Sequence, residues 1–229
     1  SEGFSPLFSM VVPPAMSGEK MVRKESFWSE RLNEQVINPA LSIHDDGLLE
    51  GGMASGSRDA EGVPRRHQNL VKNGRLTNML WSTRDAAQQV AEGRTDAASS
   101  TGSANSGGHQ SPPSTGCTEL FLTTNEATSS WDQLLEQMGE GYVVNSVMGA
   151  HTANPTSGDF SVTTSAILKV VDGEVVGALE QAGLSGNLAK AMNGKVVLGD
   201  EVRRQGSYSS GSMHLPDVLL LDGLRINPA

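Results

Sequence analysis

Apolar positions repeat with two different periods along the 229 residues, and the two periods predict a few helices among many strands. Trp131, Leu134, Leu135 and Met138 fall at i, i+3, i+4 and i+7, one face of a helix. Ser130 precedes that face with Gln133 three residues on, a capping box in which each side chain satisfies the other residue's amide, and Gly139 can end the helix in the left-handed conformation. The spacing predicts a second helix over residues 83–92, with Thr83 as cap and Ala86, Ala87 and Val90 inward. It predicts a third over residues 185–192, with Gly194 just beyond its end.

Strand patterns are more numerous. NLVKNGRLTNML holds Asn73-Gly74 between two apolar arms, and both residues tolerate the positive φ of a type I′ turn. FSVTTSAILKVVDGEVVGAL repeats the device at Asp172-Gly173 with longer, more β-branched arms. VVLGDEV and LPDVLLLDGLRI carry the pattern to the C-terminal end. The expected fold class is α+β: a predominantly antiparallel, twisted or barrel-like sheet with a few peripheral helices. Residues 93–116 are almost all Ser, Gly, Thr, Ala and Pro, and bury too little apolar area to offset their ordering entropy, so a mobile surface loop is expected there.

Hydrophobic residues make up 37% of the chain and glycines number 26, which favours turns and short strands over a helical bundle. The length suits a single domain over 1–229. A net charge of −9 argues against nucleic acid or an anionic membrane as partner, because phosphate binding draws on clustered cations. Arg65-Arg66 and Arg203-Arg204 are too short to reverse that and read as solvated strand ends. The single cysteine, Cys117, cannot form an internal disulfide, which agrees with a reducing cytoplasm. No apolar run is long enough to cross a bilayer, and the opening segment lacks the basic flank of a signal peptide.

The chemistry is mostly defined by what is missing. His44, His67, His109, His151 and His214 are all isolated, so no helix carries the paired imidazoles and intervening Glu of a zincin. There is no nucleophile elbow and no phosphate-binding Gly loop. Three Gly-rich constellations remain. Asp45, Asp46, Asp59 and Glu61 form an acidic group that either caps turns or binds a hard cation, with turns favoured. His151, Asn154, Ser157 and Asp159, followed by Phe160, form a polar bend that either lines a cleft for a peptide or satisfies its own amides. Ser185, Gly186 and Asn187 cap a helix whose amides could also receive a carboxylate.

The order of these pieces resembles the C-terminal half of the TldD/PmbA family: IHDDG at 43–47, DAEGVP at 59–64, LVKNGRL at 70–76, STG at 100–102, SGDFSV at 157–162, DGE at 172–174 and LSGNL at 184–188. The resemblance implies a cytoplasmic zinc-dependent protease of two related subunits acting on peptides or unfolded proteins, with the metal on an HExxxH helix of the TldD subunit only. It also implies an N-terminal domain, absent from this chain. Aligning Gly18 with the glycine that follows the metal motif sets Ser9, Met10 and Pro14 where His, Glu and His belong, and Pro13-Pro14 is expected to disturb the helix. The chain is thereby similar to the TldE/PmbA-type subunit. The resemblance implies no cofactor in this chain, zinc in a TldD-like partner, and either that partner or self-association. His151, Asn154, Ser157, Asp159, Phe160, Ser185, Gly186 and Asn187 are then the expected substrate or interface contacts. Two other readings stay open: an interaction module of the gyrase-modulator type, and an autonomous hydrolase with a dispersed site.

Overall fold

The computed structural model describes residues 1–96, 98–206 and 211–228. The elements run α1 (Phe4–Ala15), α2 (Gly18–Val22), β1 (Leu41–Asp46), β2 (His67–Lys72), β3 (Arg75–Leu76), α3 (Thr83–Ala91), β4 (Ala104–Asn105), β5 (Ser114–Thr115), β6 (Glu119–Thr124), α4 (Trp131–Met138), β7 (Gly141–Met148), β8 (Asp159–Val171), β9 (Glu174–Asn187), α5 (Leu188–Asn193), β10 (Val196–Gly206), β11 (Ser212–Leu220) and β12 (Leu224–Pro228). A six-stranded sheet has the order β10-β11-β6-β1-β2-β3, and a four-stranded sheet the order β12-β9-β8-β7. Every pairing between these strands is antiparallel except that of β11 with β6. The α+β, mainly antiparallel class expected from the turn dipeptides is the one observed.

Both predicted hairpin turns form, with φ of 48° and 73° at Asn73 and Gly74 and 51° and 77° at Asp172 and Gly173. Gly74 is also pressed against the chain, since a Cβ there would lie 2.4 Å from the Ile37 carbonyl oxygen. In β1, alternation turns Leu41, Ile43 and Asp45 inward. Two of those three suit a core and the third does not. α1 packs between the sheets, against β11, β7 and α5, and buries Phe8, Val11, Val12 and Ala15.

Several sequence expectations are corrected. α1 runs through Pro13 and Pro14 instead of breaking before them. They fall in its last turn, so only the carbonyls of Ser9 and Met10 lose an amide donor from within the helix, and the chain closes with Met16 N–H on the Pro13 oxygen. α4 has its capping box, but Trp131 is 43% exposed and the burial rests on Leu134 and Leu135. α3 is capped by Ser82, not Thr83, and turns Asp85, Ala86 and Gln89 inward while Ala87 and Val90 face out. The physical reason is a polar tie: Asp85 Oδ2 accepts from the amide and hydroxyl of Thr115 in β5. Ser185 and Gly186 lie in β9, and the third helix starts only at Leu188, capped by Asn187.

The stretch 93–116 divides in two. Residues 101–104 are buried and β4 pairs with β5, while residues 106–112 are exposed. Ala97, in the same stretch, lies outside the described residues.

Candidate functional site

The motifs from the first half of the chain converge on one buried polar network at an end of the six-stranded sheet. Asp45, on the inner face of β1, is 1% exposed, and its Oδ1 accepts from the amides of Thr118 and Glu119 at 2.7 and 2.9 Å. Burial pushes its carboxyl up to about 6, against the opposing effect of those amides and of Arg65. Cys117 lies beside it, and burial and then the Asp45 charge raise its thiol well above the ordinary range. A thiol so placed stays protonated and is a poor nucleophile or metal ligand.

Arg65 and Arg66 both tie this network together; Arg65 is half-buried, while Arg66 is exposed just before the start of β2, as expected of a solvated strand end. Arg65 donates to Thr118 Oγ1 and Asn105 Oδ1, and Arg66 donates to the carbonyls of Thr101 and Ser100. Asp59 Oδ1 accepts from Glu61 and Val63, and its Oδ2 from the amide of Ala104. Charged side chains thus supply the partners that a Ser/Gly segment cannot supply itself. Gly102 has φ of 73°, and a Cβ there would meet the Pro64 carbonyl oxygen at 2.3 Å, so the STG motif is needed for close approach to the DAEGVP turn. The acidic group therefore splits. Asp46 caps a local turn, Asp59 caps its own turn and also reaches Ala104, Asp45 reaches β6, and Glu61 accepts from the first amides of α3, those of Thr83 and Arg84.

On the opposite face of this sheet four rings stand in a row on adjacent strands, in the order His67, His44, Phe121, His214. His44 stacks on Phe121 with centroids 4.7 Å apart and planes 6° apart, and Phe121 stacks on His214 at 4.1 Å and 7°. His214 Nε2 lies 2.9 Å from Glu119 Oε2, whose carboxylate is fully buried and accepts from the amide of Ala54. The loop over residues 47–56 is thereby strapped across the row's end, and Arg204 also holds it through the Gly51 carbonyl. The row was invisible to sequence reasoning because neighbours in it are 23 to 93 residues apart; the available signal was the β1 alternation, which places Ser42, His44 and Asp46 on one face.

The polar bend between β7 and β8 lies on the other sheet. Asn154 Oδ1 accepts from Thr156 and Ser157, the Ser157 hydroxyl donates to Asp159, and Asn187 donates to Asp159 Oδ1 and to the Ser157 carbonyl. Asn187 and then Ser157 hold the Asp159 carboxyl below the usual range. These side chains serve their own loop, His151 is exposed, and Phe160 is buried among Val162 and Leu184. Ser185 and Gly186 pair with Arg225 and Leu224 of β12, so their amides belong to a sheet and not to a helix N-terminus.

A third feature is a cavity of about 570 Å³ between the sheets, lined by the start of α1, by Trp131, Leu134 and Met138 of α4, and by residues of β7, β11 and β12. In α1, Ser9 is fully buried beside Phe8 and Val12, and Met10 and Pro14 are half-buried. A hydroxyl, a thioether and a proline on such a face do not fit a zinc ion, and among the described residues no group of three His, Cys, Asp or Glu is placed to hold one.

The family described as PmbA/TldA metallopeptidase C-terminal domain matches residues 1–227. The chain is 30% identical over 207 residues to an uncharacterized protein of Methanocaldococcus jannaschii, covering 90% of this chain and 46% of the relative. It is 28% identical over 204 residues to the metalloprotease PmbA of Escherichia coli O157:H7, covering 89% and 41%. It spans somewhat less than half the length of these relatives. Among solved structures it superposes on TldE from Thermococcus kodakarensis with a TM-score of 0.84 at 22% identity, covering 99% of this chain and 48% of that one, a likeness of fold. It superposes on a Thermotoga maritima protein described as a candidate modulator of a DNA gyrase with a TM-score of 0.80 at 29% identity, covering 100% and 48%. By sequence and by fold, the chain belongs to the PmbA/TldD family of metallopeptidases, whose C-terminal domain it carries.

Proposed function

We propose that this chain acts as the metal-free half of a cytoplasmic zinc-dependent protease, completing a cleft for extended peptides or unfolded proteins when paired with a TldD-like subunit. The observation that carries the reading is the chemistry of Ser9, Met10 and Pro14, which the family resemblance sets at the metal position and which offer no zinc ligand set, on a helix packed into the core. The zinc then belongs to the partner, and this chain supplies shape: strands whose main-chain groups can align an extended substrate. The buried polar network keeps the 100–105 segment in place at the sheet end, and Glu119 and Arg204 hold the 47–56 loop. The buried, protonated Cys117 and the lack of any disulfide suit a reducing compartment.

Purifying the chain alone and with a TldD-like subunit, and measuring zinc content and peptidase activity in each, tests this. Activity and stoichiometric zinc are expected only in the pair. Stoichiometric zinc with peptidase activity in the chain alone overturns the proposal. A second reading, an interaction module, draws on the gyrase description of one structural relative. A pair that never forms while a gyrase subunit binds favours it.

A further inference from the structure

We propose that residues 47–56 form a hinged lid whose opening uncovers the Glu119–His214 pair at the end of the ring row. Its two ends meet: the Gly56 amide donates to the Gly47 carbonyl at 3.0 Å, so the segment between them can swing as one body. Gly51 and Gly52 sit within it, and Gly52 lies so close over the carboxylate that a Cβ there would stand 2.9 Å from Glu119 Oε1. No residue from 48 to 56 is buried, and Leu48 and Met53 are 56% and 75% exposed. Apolar burial therefore does nothing to fasten the segment. Among the described residues, its ties to the sheet beyond its own neck are two hydrogen bonds, from the Ala54 amide to Glu119 Oε1 at 2.8 Å and from the Arg204 guanidinium to the Gly51 carbonyl at 3.3 Å. A segment held in that way opens at far less free energy than the strands beneath it.

Two groups make the closed position costly. Glu119 is fully buried under the lid, where its charge gives up water for one amide and one imidazole, His214 Nε2 at 2.9 Å. Ser55 Oγ, within the lid, is buried with no hydrogen-bond partner among the described residues. Opening hydrates both, and water replaces the Ala54 amide on a charged oxygen at little net loss. The closed position is held by Ala54 and Arg204, the open one by the hydration of Glu119 and Ser55, and the two are thereby kept near balance. Opening leaves Glu119 Oε1 without its donor, with the His214 imidazole still on the other oxygen and the Phe121 ring stacked behind that imidazole. The lid goes beyond the protease assignment, since neither zinc nor a second subunit enters its working.

Two readouts follow the same opening in the 229-residue chain: hydrogen exchange at the Ala54 amide, and acylation of His214 by diethyl pyrocarbonate with exposed His151 as the reference. Ala54 is expected to exchange about a hundredfold faster than the core amides of β1 and β6, and His214 acylation to keep step with it. Ser55→Ala removes the unpartnered hydroxyl from the closed position and is expected to slow both readouts about fivefold. Arg204→Ala removes a latch and is expected to speed both by a similar factor, with the amides of β8 and β9 unchanged in either variant. Misfolding cannot produce shifts of opposite sign. An Ala54 amide that exchanges only as slowly as the sheet beneath it overturns the proposal. So do variants that leave both readouts where they were, or a His214 whose acylation does not follow the Ala54 exchange.

Discussion

At the scale of single residues, Asp45 and His44 are neighbours in β1 that pull stability in opposite directions with pH. The Asp45 carboxyl titrates at about 6 in the fold against 3.8 when free. Between those values the folded chain holds a proton that the unfolded chain releases, so this group's contribution falls as pH rises and is fully lost above about 6. The interval corresponds to about 3 kcal/mol at most. Asp45→Asn keeps the acceptor for the Thr118 and Glu119 amides and removes the charge. It is expected to match the parent near pH 4 and to exceed it by about 1–3 kcal/mol near pH 8 in urea denaturation. His44 is displaced the other way: burial, then the charges of His67 and His214, lower its pKa. Its contribution is present above the free value of 6.5 and is lost as pH falls below it. His44→Phe preserves the ring stack and is expected to flatten the acid limb of a Tm against pH curve, and an unchanged limb would assign it elsewhere.

At the scale of elements, the parts legible in the sequence were those whose cause is local. Ser130 and Gln133 cap α4 as their spacing requires, and Asn73-Gly74 and Asp172-Gly173 turn because two residues suffice to make the turn. What was not legible depends on partners far along the chain. Asp85 and Gln89 face inward in α3 because Thr115 waits for Asp85, a fact absent from residues 83–92 themselves. Residues 101–104 are buried because two arginines and Asp59, about 40 residues earlier, complete their hydrogen bonds. Capping supplies a paired test. Ser130→Ala is expected to cost about 1 kcal/mol, and Ser82→Ala a similar amount, while Thr83→Ala costs close to nothing. Equal losses at Ser82 and Thr83 in denaturant titrations would contradict the observed cap. Arg65→Ala is expected to expose residues 100–105 to hydrogen exchange and limited proteolysis while β8 and β9 stay protected.

At the scale of the whole molecule, the candidate site was half legible. Three of the seven family motifs named in the sequence meet at the end of the six-stranded sheet, since IHDDG, DAEGVP and STG all contribute to the network around Asp45, Asp59 and the two arginines. The bend at His151 to Asp159 was marked by its polar side chains, but its hydrogen bonds close on themselves.

The parallel pairing of β11 with β6 has a consequence for how the chain is made. β11 lies in the interior of the six-stranded sheet, yet it joins Ser212–His214 to Glu119–Phe121 across some 90 residues. During translation β1, β2, β3 and β6 leave the ribosome early and must wait, with the β6 edge bare and apolar, until the last strands emerge. A nascent chain halted before Ser212 is expected to need a holding chaperone, and to appear in the pellet fraction when one is withheld.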